Sequence, residues 1–316
     1  MIKRHQLLSK YWVLRASIFG SLYAKTKHFR TLFPKHAKLE KLASGFQFTE
    51  GPIWIDKGGY LLFSDIPASR IYKLDKNYSI SVYKDPSEHA NGLTLDIKGR
   101  LICCEHGSRS VTRTEHNGSI TSLCSHYNGK PLNSPNDVVV SKNGTIYFTD
   151  PPYGIKKDQQ QLPFQGVFSY SPEYKELRLV TDELLRPNGL AFSPDQKKLY
   201  IDDSSKRRHI KVYDVCDNGS LMNGRIFHDM KSRLKGNPDG MKVDKAGNIY
   251  CTGAGGVWVF DETGLHLGTI LTPETPSNCA WGDEDKKSLY ITACSSVYRL
   301  RVTTEGTTTS THTHSL

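Results

Sequence analysis

The segment NDVVVSKNGTIYFTD, residues 136–150, decides the fold of this chain. Its apolar stretches, Val138 to Val140 and Ile146 to Phe148, are β-branched or aromatic. Lys142-Asn143-Gly144 between them supplies the positive-φ residues of a tight turn, so the segment predicts a β-hairpin. The same phrase recurs as EGPIWIDKGGYLLFSD (50–65), NGLTLDIKGRLICCE (91–105), NGLAFSPDQKKLYIDD (188–203), DGMKVDKAGNIYCTG (239–253) and NCAWGDEDKKSLYITA (278–293). The six phrases open on Glu50, Asn91, Asn136, Asn188, Asp239 and Asn278, spaced by 41, 45, 52, 51 and 39 residues. One or two further short strands fit between phrases, such as Arg70–Leu74 with Ile80–Tyr83 and Gly166–Ser169 with Glu176–Val180. No amphipathic helix of useful length separates the units, which excludes a parallel α/β sheet. Six units of about 46 residues and about four strands each predict an all-β, six-bladed β-propeller with four-stranded blades. The last unit, Asn278 to Arg301, shows only three strands, and Lys38–Ala43 is placed to supply its outer one. The Trp-Asp and Gly-His signatures of WD40 units are absent.

At 316 residues and 37% hydrophobic content, the chain is long enough for a large core. Its 26 Gly and 15 Pro are close to an ordinary globular share, which excludes collagen-like and low-complexity readings. No apolar run reaches the roughly 18 residues of a membrane-spanning helix. Seven Cys without a CxxC pair argue against a disulfide framework and for a reducing compartment, hence a cytoplasmic location.

The net charge of +10 is concentrated in residues 1–39, which hold nine basic side chains and no acidic one. The remaining 33 basic and 32 acidic residues nearly cancel. The body therefore lacks the basic footprint of a nucleic-acid partner. The leader, with Tyr11, Trp12, Phe19 and Tyr23, suits an organelle transit segment, a helix on a membrane surface, or a packed or solvated N-terminal helix. Residues 1–37 are therefore read as a basic extension, 38–302 as the propeller domain and 303–316 as a disordered tail. Deletion of residues 1–34 is expected to leave the domain intact. In the tail, His312 and His314 offer at most a loose metal site at a fraying terminus.

Inner strands of a propeller run the same way along one channel, so the residues that open the six phrases gather at one end of it. Asn-Gly and Asp-Gly are also ordinary turn dipeptides, which accounts for any one copy. It does not account for an acceptor before the same strand in all six, nor for Pro52, Pro135, Pro187 and Pro238 beside it. An all-oxygen set without Cys or His suits a hard divalent cation, Ca²⁺ first, with Mg²⁺, Mn²⁺ or Zn²⁺ as other candidates. Glu50 and Asp239 supply charge, and Asn136 and Asn188 neutral amide oxygens. Asn91 and Asn278 are read chiefly as loop caps. No GxSxG, P-loop, GxGxxG or HExxH motif occurs, which leaves serine-hydrolase, nucleotide and zincin readings without support.

Several stretches resemble the gluconolactonase family, which includes regucalcin and luciferin-regenerating enzyme. They are TEGP (49–52), LLFSDIP (61–67), CEHG (104–107), VTRTE (111–115), NSPND (133–137), FTDPPYG (148–154), RPNGL (186–190) and PDG (238–240). Those around Cys104 and Pro151 look most like bacterial gluconolactonases. The resemblance implies a six-bladed propeller with one catalytic divalent metal on Glu50, Asn188 and Asp239, and Asn136 as a fourth ligand or substrate contact. It implies an acid/base residue at Asp239 or Asp137, and substrate-side groups at His106 and Arg109. The stretch Asp202-Asp203-Ser204-Ser205 departs from the family's Asp-Thr/Ser-Gly.

The reaction expected is opening of a sugar δ- or γ-lactone by water, with the cation polarising the carbonyl, Asp239 or Asp137 as base, and Asn91, Asn136, His106 and Arg109 binding sugar hydroxyls. The alternatives are other lactones, aryl esters or organophosphates, or a non-catalytic calcium- or protein-binding propeller. A monomer with a small-molecule partner is expected.

Overall fold

A computed structural model describes residues 21–307. Six antiparallel sheets are arranged as consecutive blades. The inner strands are Thr49–Ile55, Ala90–Leu95, Val138–Val140, Pro187–Phe192, Met241–Val243 and Pro276–Gly282. Each is hydrogen-bonded to the next strand in sequence, so every phrase is the hairpin expected of it. In the sixth blade the outer strand is Glu40–Ser44, from the N-terminal side of the chain, paired as Glu40 with Arg299 and Ser44 with Ser296. This is the predicted ring closure, and it gives blade six its fourth strand. None of the seven cysteines is in a disulfide.

Packing explains why the strands read as short buried runs rather than clean alternation. One apolar cluster fills each of the six gaps between neighbouring blades. Successive residues of a strand face opposite gaps. Leu61 packs towards blade six while Leu62 packs towards blade two. Tyr147 and Phe148 divide in the same way between the gaps on either side of blade three. A strand buried on both faces needs apolar residues at both parities.

The boundary expected at residues 37/38 does not coincide with the edge of the packed structure. Leu22–Ala24 adds a fifth strand to blade five, with Leu22 opposite Ile270. The short helix Lys27–Thr31 follows, its first turn capped by the Thr26 hydroxyl, which accepts from the Phe29 N–H at 3.2 Å. The helix and the residues after it place Phe29, Leu32 and Phe33 in the gap between blades five and six. Phe29 is wholly buried. The expectation that residues 1–34 are dispensable is therefore corrected: Phe29, Leu32 and Phe33 belong to a core cluster, with Leu22 and Ala24 packed against it. Tyr11, Trp12 and Phe19 lie outside the described residues.

Residues 303–307 are likewise packed: Gly306 bridges Asp244, and the Thr307 N–H donates to the Val243 carbonyl. His312 and His314 lie outside the described residues. Among the described residues, no helix is long and apolar enough to cross a membrane.

Candidate active site

The residue opening each phrase sits where the inner strand is bulged or not yet paired. Register breaks fall between Glu50 and Ile53, Ala90 and Leu93, Pro187 and Leu190, and Pro276 and Asn278. A bulge turns one side chain out of the alternation, here towards the channel axis. Gly51 makes the first bulge possible. Its φ is +51°, and a Cβ there would lie 1.9 Å from the Asn91 carbonyl oxygen. Hydroxyls on the second strands then fasten each blade to the next. Ser64 donates to the Asn91 carbonyl at 2.8 Å, Thr149 to that of Asn188 at 2.8 Å, and Thr252 to that of Ser277 at 2.8 Å.

A chain of buried amides runs round one end of the channel. Asn91 Nδ2 donates to Asn136 Oδ1 at 2.6 Å, and Asn136 Nδ2 to Asn188 Oδ1 at 2.5 Å. Asn188 Nδ2 donates to Ser204 Oγ at 2.9 Å. Asn278 is more than a loop cap: its Nδ2 donates to Glu50 Oε2 at 3.0 Å and Asp137 Oδ2 at 3.3 Å. Glu50 also accepts from the Gly51 N–H at 2.6 Å.

The carboxyl groups of Glu50 and Asp239 lie within hydrogen-bonding reach of one another. Burial, then the charge of Asp137, lifts Glu50 to about 7. Burial, then Glu50 and Asp137, pushes Asp239 well above the usual carboxylate range. Two adjacent carboxylates, Glu50 buried and Asp239 half-buried at the cavity, share a proton or need a cation. The donor set of Glu50, Asp239 and the amide oxygens of Asn136 and Asn188 fits a hard divalent ion. Among the described residues, no three His, Cys, Asp or Glu side chains are grouped to hold a metal. The candidate set depends on its amides.

These residues open into a cavity of 690 Å³ whose lining includes Glu50, Asn91, His106, Asn136, Asn188 and Asp239. The opposite mouth, between Trp54 and Trp281, holds only 130 Å³. A sugar-sized ligand therefore has room at the amide-lined end. Two expected residues are placed elsewhere. Arg109 spends its Nε on the carbonyls of Leu132 and Asn133, at 2.7 and 3.0 Å, and does not line this cavity. Asp137 is buried behind the lining, its Oδ1 accepting from the Val138 N–H at 2.9 Å.

His106 does face the cavity. Its Nε2 lies 3.4 Å from Asn91 Nδ2, and burial lowers it to about 4, so it is neutral and accepts from that amide. Gly154 lets the FTDPPYG loop lie against the ring, since a Cβ there would come within 2.5 Å of His106 Cβ.

Tyr153, Ser204, Arg208 and Lys235 also line the cavity and were not singled out from sequence. Tyr153 lies inside a motif and Ser204 inside the departing stretch, so both were legible there; Arg208 and Lys235 sit in connections with no repeat register. Asp202, from the departing stretch, is wholly buried, and its Oδ1 has no partner. It stands at the position of its blade that Ser64, Thr149 and Thr252 occupy in theirs. Burial, followed by Asp239 and Asp137, pushes its carboxyl well up.

A family model described as the SMP-30/Gluconolactonase/LRE-like region matches residues 48–295. The chain belongs to this family. Within it, the chain is 34% identical to the gluconolactonase of Zymomonas mobilis, an alignment covering 93% of this chain and 89% of that one. A solved gluconolactonase of Xanthomonas campestris superposes with a TM-score of 0.82 at 34% identity, over 89% of this chain and 94% of that chain. Regucalcin of Xenopus laevis is 28% identical over 78% of this chain and 83% of its own length.

Proposed function

We propose that this chain is a lactone hydrolase that opens a sugar lactone of the glucono-1,5-lactone type to its aldonic acid. The cation it uses is divalent, Ca²⁺ by first preference, held by Glu50, Asn188 and Asp239 with Asn136 beside them. The observation that carries this reading is the convergence of those four side chains at the wide end of the channel, in a member of a family that contains gluconolactonases.

When bound, the cation supplies Lewis-acid polarisation of the lactone carbonyl and lowers the pKa of water beside it. The remaining work falls to the chain. Asn91, Asn136 and neutral His106 orient ring hydroxyls from one side of the cavity. Asp239 faces the cavity and takes the proton of the attacking water, whereas Asp137 is sealed behind the lining. Collapse of the tetrahedral carbon breaks the ring C–O bond, and the proton on Asp239 passes to the departing ring oxygen, leaving a free hydroxyl and an aldonic acid that then releases its own proton to water. The packed blades hold the acceptors in place before substrate arrives, which is the preorganisation that favours developing charge.

The test is hydrolysis of glucono-1,5-lactone by the metal-stripped chain, with Ca²⁺, Mg²⁺, Mn²⁺ and Zn²⁺ restored one at a time. Activity only on restoring a cation is expected. Full activity after exhaustive chelation removes the cation from the reading, and no activity with any of the four removes the lactonase reading.

A further inference from the structure

The mouth of the cavity is asymmetric in charge, and the reaction just proposed does not use that asymmetry. One wall is apolar, formed by Phe48, Ile66 and Pro67 of blade one and Pro276 of blade six. The other wall, from blades four and five, carries Arg208 and Lys235. A recess of 560 Å³ adjoins it, sharing Ser204, Arg208 and Asn237 and adding Arg186 and Lys206. Among the described residues, no Asp or Glu lines this recess.

Among the described residues none of these four cations is in an ion pair, although their near neighbours Lys211 and Lys231 are paired, with Glu183 and Asp229. Two are held in place by other means. Arg208 donates through Nη1 to the Ser232 carbonyl at 3.4 Å, and the Arg186 guanidinium lies 5.7 Å from the centre of the Tyr153 ring. They do not serve to neutralise the acids on the cavity floor. Glu50 accepts from the Gly51 N–H and from Asn278 Nδ2 instead, and the cation that acts on it is Lys242, from the inner strand of blade five.

We propose that the lactone this chain prefers carries a fixed negative charge, a phosphate or a carboxylate remote from the ring carbonyl, seated by Arg208 and Lys235 with Arg186 and Lys206 behind them. The inference rests on the lactonase reading and adds the class of substrate. With the carbonyl over Glu50 and Asp239, a substituent at the far end of the sugar extends towards one wall or the other, and only the blade four and five wall offers charge. Arginine suits a phosphate or carboxylate because its planar fork donates two parallel hydrogen bonds.

The experiment compares kcat/KM for glucono-1,5-lactone with that for its 6-phosphate and for glucaro-1,4-lactone, which carries a carboxylate. Calorimetric binding of gluconate and gluconate 6-phosphate to the full chain runs alongside. An advantage of about tenfold or more for an anionic substrate is expected, shrinking as salt is raised. Comparison of the phosphate and carboxylate arms says which anion is taken. Arg208→Ala with Lys235→Ala should lower the anionic-to-neutral ratio at least tenfold, and Arg208→Lys with Lys235→Arg should restore most of it. Lys235→Glu, at an exposed position, serves should the double variant not fold, and it should reverse the preference. A ratio near one in the parent chain, or one unchanged in these variants, overturns the proposal. Hydrolysis of the neutral lactone without anionic preference ends the anion site alone. Selective binding of gluconate 6-phosphate without hydrolysis of any lactone supports the anion site and ends the lactonase reading.

Discussion

At the scale of single residues, the site is built from groups that are unfavourable where they stand. Glu50 is buried with half-buried Asp239 beside it; Asp137 raises the proton affinity of Glu50, and Glu50 and Asp137 raise that of Asp239. Removing one carboxylate should therefore relieve the cation-free fold and abolish turnover. Asp239→Asn is expected to raise the melting temperature of the chelated protein while hydrolysis falls at least a hundredfold, read by calorimetry and a lactone assay. A lowered melting temperature with retained activity would exclude the assignment.

The elevated proton affinity of Glu50 also has a sign. Its folded value, about 7, lies above the ordinary 4.5. In that window the folded, cation-free state binds the extra proton, so its contribution to stability is complete below about pH 4.5 and is lost as pH rises through 7. A cation competes with that proton. Calcium affinity should accordingly climb as pH rises through 7, with proton release on binding at pH 6; Glu50→Gln should make the curve shallower.

At the scale of elements, the N-terminal strap is the part that pattern alone misjudged. It shows no repeat register, and a basic leader reads as a detachable segment. Its value lies in Phe29, whose ring fills a site that exists only once blades five and six are side by side. Phe29→Ala is expected to cost about 3–5 kcal/mol, the usual range for a fully buried aromatic, in denaturant unfolding. A cost below about 1 kcal/mol would show the strap to be peripheral.

The same strap is tied by Lys25, whose Nζ donates to His266 Nδ1 at 2.9 Å, while the His266 ring stacks on Trp258 at 4.2 Å. Burial, then the Lys25 charge, lowers His266 from 6.5 to about 3. The unfolded chain therefore binds this proton first. The stability contributed by the neutral ring is complete above about pH 6.5 and is lost as pH falls towards 3. At pH 5 the loss is on the order of 1 kcal/mol after allowing for solvent screening, and His266→Gln should remove that part of the acid sensitivity.

At the scale of the whole molecule, the ring is closed by Glu40–Ser44 pairing with Ser296–Arg301, and the cation site draws on blades one, three, four and five at once. A ligand that bridges four blades binds only the assembled ring. Calcium at a hundred times its dissociation constant should stabilise the protein by about 2.7 kcal/mol, seen as a melting temperature that depends on calcium concentration. Variants at Glu50 should lose most of that dependence. An equal shift in such a variant would mean the ion binds elsewhere.

The hairpin phrases, the blade number, the strand that closes the ring and the acceptors at one end of the channel were all legible in the sequence. They are repetitive, and repetition converts a local pattern into a global position: six copies in one register meet on one axis. The tertiary structure decided what is not periodic. Arg109 and Asp137 carry the same chemistry in the sequence as the residues that face the cavity, yet backbone groups beside them claim their side chains. Asn278 entered the site through hydrogen bonds to carboxylates that lie 228 and 141 residues away in the chain. The cationic wall and the docked strap arise where connections of irregular length come to rest against assembled blades. The physical reason is common to these cases: which neighbour a side chain meets across a gap is set by packing between elements, and no spacing along the chain encodes it.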